Sequence, residues 1–294
     1  GRAPAVRGGG AQGSRVIGGL SKVLHGRVRG LIDMKARRDA GEVVHTHVPT
    51  GLAKFDAKFG GLEVGILTLV VGHTGDGKTS VLGQLAKGAA SAGFGVLLVL
   101  LEDPMARIAD RYLAGVMGES ANKISRLNFG SGERLEAALG ELDWAKRVGV
   151  VAGMYSPDDV LGLVNRTTDI GGVPLGLVIV DYAQGFSDAA ENMEKVCAQM
   201  ARNLNGVAGE RGLACVFGSQ VATDVLHRGR MRWERTLALQ RPDEGGFRPG
   251  KGDVMWARRL EQYSKAVWYC FRPGRWRREL GDDAAVDNTM EITV

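Results

Sequence analysis

The chain has 294 residues, 44% hydrophobic and 24% charged, enough for one large globular domain or two small ones. No run approaches the roughly 20 unbroken apolar residues of a membrane helix, and the start of the chain carries no hydrophobic signal region, so no membrane partner is expected. The formal net charge of +5 is unevenly spread: residues 1–50 hold nine Lys/Arg against three acids, the remainder is near neutral, and a second basic stretch lies at 227–251, a pattern suited to a polyanionic partner.

Residues 1–20 are Gly-rich with scattered Arg and read as a flexible basic arm. From Ser21 to Asp39, Leu24, Val28, Leu31 and Ile32 recur at helical spacing on one face, with Lys35, Arg37 and Arg38 near the end where the dipole favours cations. Gly26 and Gly30 weaken this helix, and its isolation calls for another surface to pack on. Beyond "VPTGLAKFDAKFGGLEVG" the chain alternates. "ILTLVV" reads as a strand, 77–92 as a helix, "GVLLVLL" as a strand, 104–117 as a helix, and "VGVVAG" and "GLVIV" as strands. A helix at 190–211, a strand at "LACVFGS" and late strands at "KAVWYCF" and "TMEITV" follow. This alternation predicts an α/β fold with a mostly parallel sheet and helices on both faces. The expected organisation is an arm (1–20), a lone helical segment (21–44) and one α/β domain (45–294). Cys197, Cys215 and Cys270 are odd in number, far apart and set in apolar surroundings, which argues for a reducing compartment and against a disulfide framework or zinc site.

"VVGHTGDGKTS" fits G-x-x-x-x-G-K-[ST], with an apolar strand before it and a helical pattern after it. Gly72, Gly75 and Gly77 let backbone N–H groups turn inward around phosphate oxygens, and the helix N-terminus adds partial positive charge. His73, Thr74 and Asp76 are the variable positions of the loop. The expected nucleotide contacts are Gly72, Gly75, Asp76, Gly77, Lys78, Thr79 and Ser80. Lys78 places its ammonium between the outer phosphates of ATP, and Thr79 offers its hydroxyl to Mg2+. Asp181, ending "LGLVIVD", is the second expected metal-site residue. Glu102, in "VLLVLLEDP", is positioned to polarise an attacking water, with Asp103 capping the helix that starts at Pro104. Gln220, in "FGSQ", is expected to bond the γ-phosphate and report its loss. The expected catalytic set is thus Glu102, Lys78 and Gln220.

These residues carry a resemblance. Residues 48–80 are similar to the opening of the RecA-like C-terminal ATPase domain of DnaB-type replicative helicases, with the T-G-x-x-x-x-D element (Thr50, Gly51, Asp56) and a "GGL-x-x-G" turn. "LLEDP", Arg111, "VIVDYAQ", "GSQ", and Asp253 followed by Glu261-Gln262 and Arg272 resemble the family's later elements in order, over about residues 48–294. The family's Arg-Glu is here Met255-Trp256, and its acidic D-A-D is Tyr263-Ser264-Lys265. No stretch resembles the helical N-terminal domain of bacterial members. The chain ends at Val294, ahead of the family's Lys-x-Arg finger; Arg272, Arg275, Arg277 and Arg278 are nearby candidates.

The resemblance implies a ring-forming ATPase, hexameric, that moves 5'-to-3' on single-stranded DNA and unwinds duplex. It also implies a linker helix docked on a neighbouring subunit, primase or a helicase loader as further partners, and a cytoplasmic setting (bacterial, phage or plasmid) or an organellar matrix. It gives the basic stretch a role: Arg228, Arg230, Arg232, Arg248 and Lys251 would track a phosphate backbone, with Trp233 or Phe247 available to stack. Two alternatives stand beside this reading. One is another RecA-like ATPase (recombinase, RadA-type or KaiC-like), which usually has Ser where this chain has Tyr182. The other is a nucleotide-gated DNA-binding or loading module.

Overall fold

A computed structural model describes residues 20–40, 45–181, 193–221, 249, 253–254, 260, 262–275 and 290–294. The chain divides into two units, residues 1–45 and 46–294. In the first, α1 (Leu20–Asp39) is one unbroken helix despite its glycines. Its Leu20, Leu24, Val28, Leu31 and Ile32 are all exposed.

The second unit is built on a sheet whose order is β10-β9-β3-β8-β7-β4-β5. Its strands are β3 (Leu67–Gly72), β4 (Gly95–Leu100), β5 (Val148–Ala152), β7 (Val173–Asp181), β8 (Ala214–Gln220), β9 (Ala266–Phe271) and β10 (Glu291–Thr293). In this order the six from β5 to β9 pair in parallel, and the edge strand β10 runs antiparallel against β9. The short β6 (Asp169–Ile170) forms a hairpin with β7. Before the main sheet, β1 (His47–Val48) and β2 (Leu62–Glu63) form a separate two-stranded ribbon.

Strand residues alternate between two apolar layers, as the period of two requires. Leu67, Leu69, Val71, Val178, Val180, Cys215 and Phe217 face α7 (Pro157–Arg166) and α8 (Met193–Arg211), meeting Val160, Val164, Met200 and Leu204. Val70, Leu98, Ile179, Val216 and Trp268 face the opposite way, onto Val81, Leu82, Leu85 and Ala89 of α3 (Lys78–Ser91) and Ile108 of α4 (Met105–Met117). A sheet covered on both faces explains why its strands read as unbroken apolar runs. The mostly parallel sheet with helices on both faces is the architecture expected from the sequence.

Several elements besides β1 and β2 have no counterpart in the sequence reading. Between α4 and β5 lie α5 (Ala121–Ser125), α6 (Gly132–Gly140) and a 3-10 turn (Asp143–Arg147). Between β5 and β7, α7 begins with a full capping box: the Ser156 hydroxyl accepts from the Asp159 N–H, and the Asp159 carboxylate accepts from the Ser156 N–H.

The turn before α2 (Ala53–Phe59) is a clasp. The Asp56 carboxylate accepts from the Thr50 N–H at 3.0 and 3.1 Å, the Thr50 hydroxyl at 2.6 Å and the Gly51 N–H at 2.9 Å. Thr50 is fully buried. It lies so close to α3 that a Cβ on Gly88 would come within 2.2 Å of the Thr50 carbonyl carbon and oxygen.

Candidate functional site

In a parallel sheet, a ligand crevice forms beyond the C-terminal ends of the strands, where consecutive strands part to opposite sides. Here β3 lies three places from β4, with β8 and β7 between them. Four strand ends therefore deliver their following residues to one place: the phosphate loop after β3, Glu102 after β4, Asp181 at the end of β7 and Gln220 at the end of β8. Hydrogen bonds align the ends, from the Leu101 N–H to the Asp181 carbonyl at 2.7 Å and from the Val221 N–H to the Gly72 carbonyl at 3.4 Å.

A cavity of about 350 Å3 opens there, lined among others by Thr74, Gly75, Gly77, Lys78, Thr79, Ser80, Glu102 and Gln220. The loop adopts the cradle that the glycines predict. Gly75 and Gly77 have φ of +85° and +90°, which side chains rarely tolerate, and Gly77 sits at the N-cap of α3. The cavity thus meets the N-terminus of a 14-residue helix, where backbone N–H groups and the helix dipole favour anions.

Lys78 and Asp181 are the buried ion pair of the site, Nζ to Oδ1 at 3.8 Å. Burial is the main influence on both. It lowers the Lys78 pKa against the attraction of Asp181 and Glu102, and it raises that of Asp181 against the attraction of Lys78 and a hydrogen bond from Thr79. Among the described residues, Asp181 Oδ1 has no hydrogen-bond partner. A buried carboxylate oxygen without a donor, beside a threonine hydroxyl and an anion cradle, fits a hydrated Mg2+. That ion uses one or two carboxylates plus substrate phosphates and water. No cluster of three or more His, Cys, Asp or Glu suited to a metal occurs among the described residues, so an ion held here would draw its remaining ligands from phosphates and water.

Glu102 is exposed to the cavity. Its neighbour Asp103 is not the cap expected from the sequence. Pro104 occupies the N-cap of α4 with an extended backbone and no side-chain cap bond. The Asp103 carboxylate instead pairs with two guanidinium groups at 3.0 Å each, Arg107 and Arg111, because two cations outweigh one backbone donor. Arg107, Arg111 and Arg272 all line the cavity. Arg107 had a sequence signal, its i,i+4 spacing from Asp103; Arg272 comes from the far end of the chain, after β9, and no local pattern places it here. A larger hollow of about 430 Å3 runs between α3 and α4 over Tyr112 and Trp144, sharing only Thr79, Ser80 and Arg111 with the phosphate cavity. It lacks the glycine cradle and the Glu102 and Asp103 carboxylates.

Among the described residues, no helix is long and apolar enough to cross a membrane. Arg228, Arg230, Arg232, Arg248 and Lys251, with Trp233 and Phe247, lie outside the described residues, as do Tyr182, Met255, Trp256, Glu261, Arg277 and Arg278.

The family model of the DnaB-like helicase C-terminal domain matches residues 47–234, more than half of the chain. The chain belongs to this family. That DnaB-type assignment separates it from the recombinase, RadA-type and KaiC-like alternatives. It is 29% identical over 208 residues to the replicative DNA helicase DnaB of Haemophilus influenzae, covering 64% of this chain and 41% of that protein. It is 27% identical over 188 residues to the DnaB of a Synechocystis species, covering 63% and 22%. The chain therefore spans less than half the length of these relatives. Among solved structures, one described as an ATPase domain superposes with a TM-score of 0.68 at 20% identity, covering 85% of each chain. A DnaB-like replicative helicase, described with its interactions with primase, superposes with a TM-score of 0.66 at 19% identity, covering 90% of this chain and 62% of that one. Both show the RecA-like fold for this DnaB-type domain.

Proposed function

We propose that this chain is the motor domain of a DNA helicase, hydrolysing ATP to move along single-stranded DNA as a ring, hexameric by analogy with its family. The observation that carries the reading is the convergence of the Gly75–Gly77 cradle, Lys78 and Glu102 on one cavity at the strand ends, with Asp181 buried behind Lys78 at 3.8 Å. In this reading Gly72, Gly75, Asp76, Gly77, Thr79 and Ser80 form the cradle around the phosphates. Lys78 turns its ammonium from Asp181 to the outer phosphates and neutralises charge as it develops. Thr79 and Asp181 would hold Mg2+, which would supply positive charge to neutralise the phosphates. Glu102 accepts the proton of the attacking water. Gln220 follows the γ-phosphate and passes its loss to the basic stretch at 227–251, where Arg228, Arg230, Arg232, Arg248 and Lys251 contact the DNA backbone. The exposed apolar stripe of α1 supports its role as a linker docking on a neighbouring subunit. Primase or a loader would be the protein partner, and the bacterial cytoplasm the setting.

The test is ATP hydrolysis by the chain with and without single-stranded DNA, against Lys78→Ala. DNA-stimulated turnover that disappears in the variant supports the motor. ATP binding and DNA binding without turnover, persisting when the chain is extended beyond Val294, would instead favour the nucleotide-gated loading module.

A further inference from the structure

The phosphate loop contains a residue that works against its purpose. Asp76 places a fully buried carboxylate between Gly75 and Gly77, in a loop that is to receive polyphosphate. An uncompensated acid there would repel the ligand and bear its own desolvation penalty. Compensation comes from 199 residues away. Arg275, beyond the end of β9, donates from Nη1 to Asp76 Oδ1 at 3.1 Å and to the Thr74 carbonyl. Its guanidinium lies over Gly75, where an added Cβ would meet Nη1 at 2.6 Å and Cζ at 2.8 Å. Gly75 thus meets two demands, a positive φ and room for this cation. Arg275 is not among the residues lining the phosphate cavity, whereas Arg272 is. The guanidinium braces the loop from its outer side.

We propose that Arg275 is a positioning residue for triphosphate binding, acting through Asp76. It offsets the charge of the acid and fixes the loop by its Thr74 carbonyl, so that arriving phosphates meet the Lys78 ammonium and the α3 N-terminus. This assigns Arg275 a role within its own subunit, in contrast to a finger reaching into a neighbour's site. It rests on the reading of the cavity as a triphosphate site.

The test is calorimetric titration of the full chain with ATP, with and without Mg2+, for the wild type, Arg275→Gln, Asp76→Asn and the double variant. Arg275→Gln removes the compensating charge and is expected to weaken binding about tenfold or more. Asp76→Asn in the same chain is expected to restore affinity to within about threefold of wild type, because the harmful charge is then gone. A brace needed only for folding would lower thermal stability without this charge-specific rescue. Wild-type affinity in Arg275→Gln overturns the proposal, as does a double variant as weak as Arg275→Gln, which would make Arg275 a direct phosphate ligand. Should Arg275→Gln fail to fold, Arg275→Lys takes its place: it keeps the charge and loses the fork, and binding within about threefold of wild type supports charge compensation, whereas a loss as large as tenfold counts against it. A wild-type chain that does not bind ATP removes the triphosphate reading itself, an outcome distinct from binding that is indifferent to Arg275.

Discussion

Asp56→Ala removes the acceptor that closes the clasp before α2. Four contacts of 2.6 to 3.1 Å to three donors are lost. The donors differ in what they lose. The Gly51 N–H is exposed and rehydrates at little cost. Thr50 is fully buried, so its N–H loses a charged acceptor and its hydroxyl must turn elsewhere. A hydrogen bond to a charged group contributes about 1.5–3 kcal/mol, and a buried donor left unmade costs about 1–3 kcal/mol, so the expected loss is about 3 kcal/mol. Urea unfolding followed by tryptophan fluorescence should show a lower midpoint with an unchanged slope. Asp56→Asn, which keeps one acceptor oxygen, should lose about half as much. A loss under about 1 kcal/mol for the alanine variant would refute the idea that the carboxylate holds the turn in place.

The same clasp predicts that Gly88→Ala destabilises the protein even though alanine is the better helix former. The new methyl meets the Thr50 carbonyl at 2.2 Å, and overpacking by about 1–3 kcal/mol exceeds the propensity gain of about 1 kcal/mol; the melting temperature should fall. Glu102→Gln keeps shape and removes the proton acceptor, so ATP affinity should persist while turnover drops about 100-fold or more, read by single-turnover kinetics. The Mg2+-dependent part of ATP binding should weaken on acidification sooner than for an ordinary carboxylate. Burial raises the Asp181 pKa above its usual value, the protonated form is a poor metal ligand, and metal binding must release that proton. Titrations across a falling pH series, with and without Mg2+, should converge above the ordinary aspartate range; convergence only near that range would remove Asp181 from the metal site.

The parallel sheet and the phosphate loop were legible because each rests on local signals. Doubly buried strands are uninterrupted apolar runs, and the glycine spacing of 72–77 dictates a backbone shape whatever surrounds it. Glu102, Asp181 and Gln220 were legible for a related reason: each ends such a run, and parallel strands put their ends together. α5 and α6 were not legible. At five and nine residues they are too short to show a helical period, and their starts rest on single serine caps, Ser120 and Ser131. The capping box at Ser156 and Asp159 stands in the sequence as S-P-x-D, a local helix-start signal. Asp103 shows the limit of local rules: its position before Pro104 reads as a cap, and two arginines one and two turns onward decide otherwise. Asp76 and Arg275 were beyond reach, because their contact joins residues 199 apart and depends on where β9 lands in the sheet.

The three cysteines have a practical consequence. Cys197, Cys215 and Cys270 are all buried, and burial pushes each thiol up to about 12. At neutral pH only about one in 10^5 of each is thiolate, against a few per cent for an exposed thiol near 8.5. The native chain is therefore already quiet toward maleimides. A single reporter introduced at an exposed position such as Leu139 on α6, as Leu139→Cys, would capture the dye without any native thiol being removed. If copies assemble as the proposed ring, distance changes between such fluorophores on neighbouring copies could then be followed on the unaltered core as nucleotide is added.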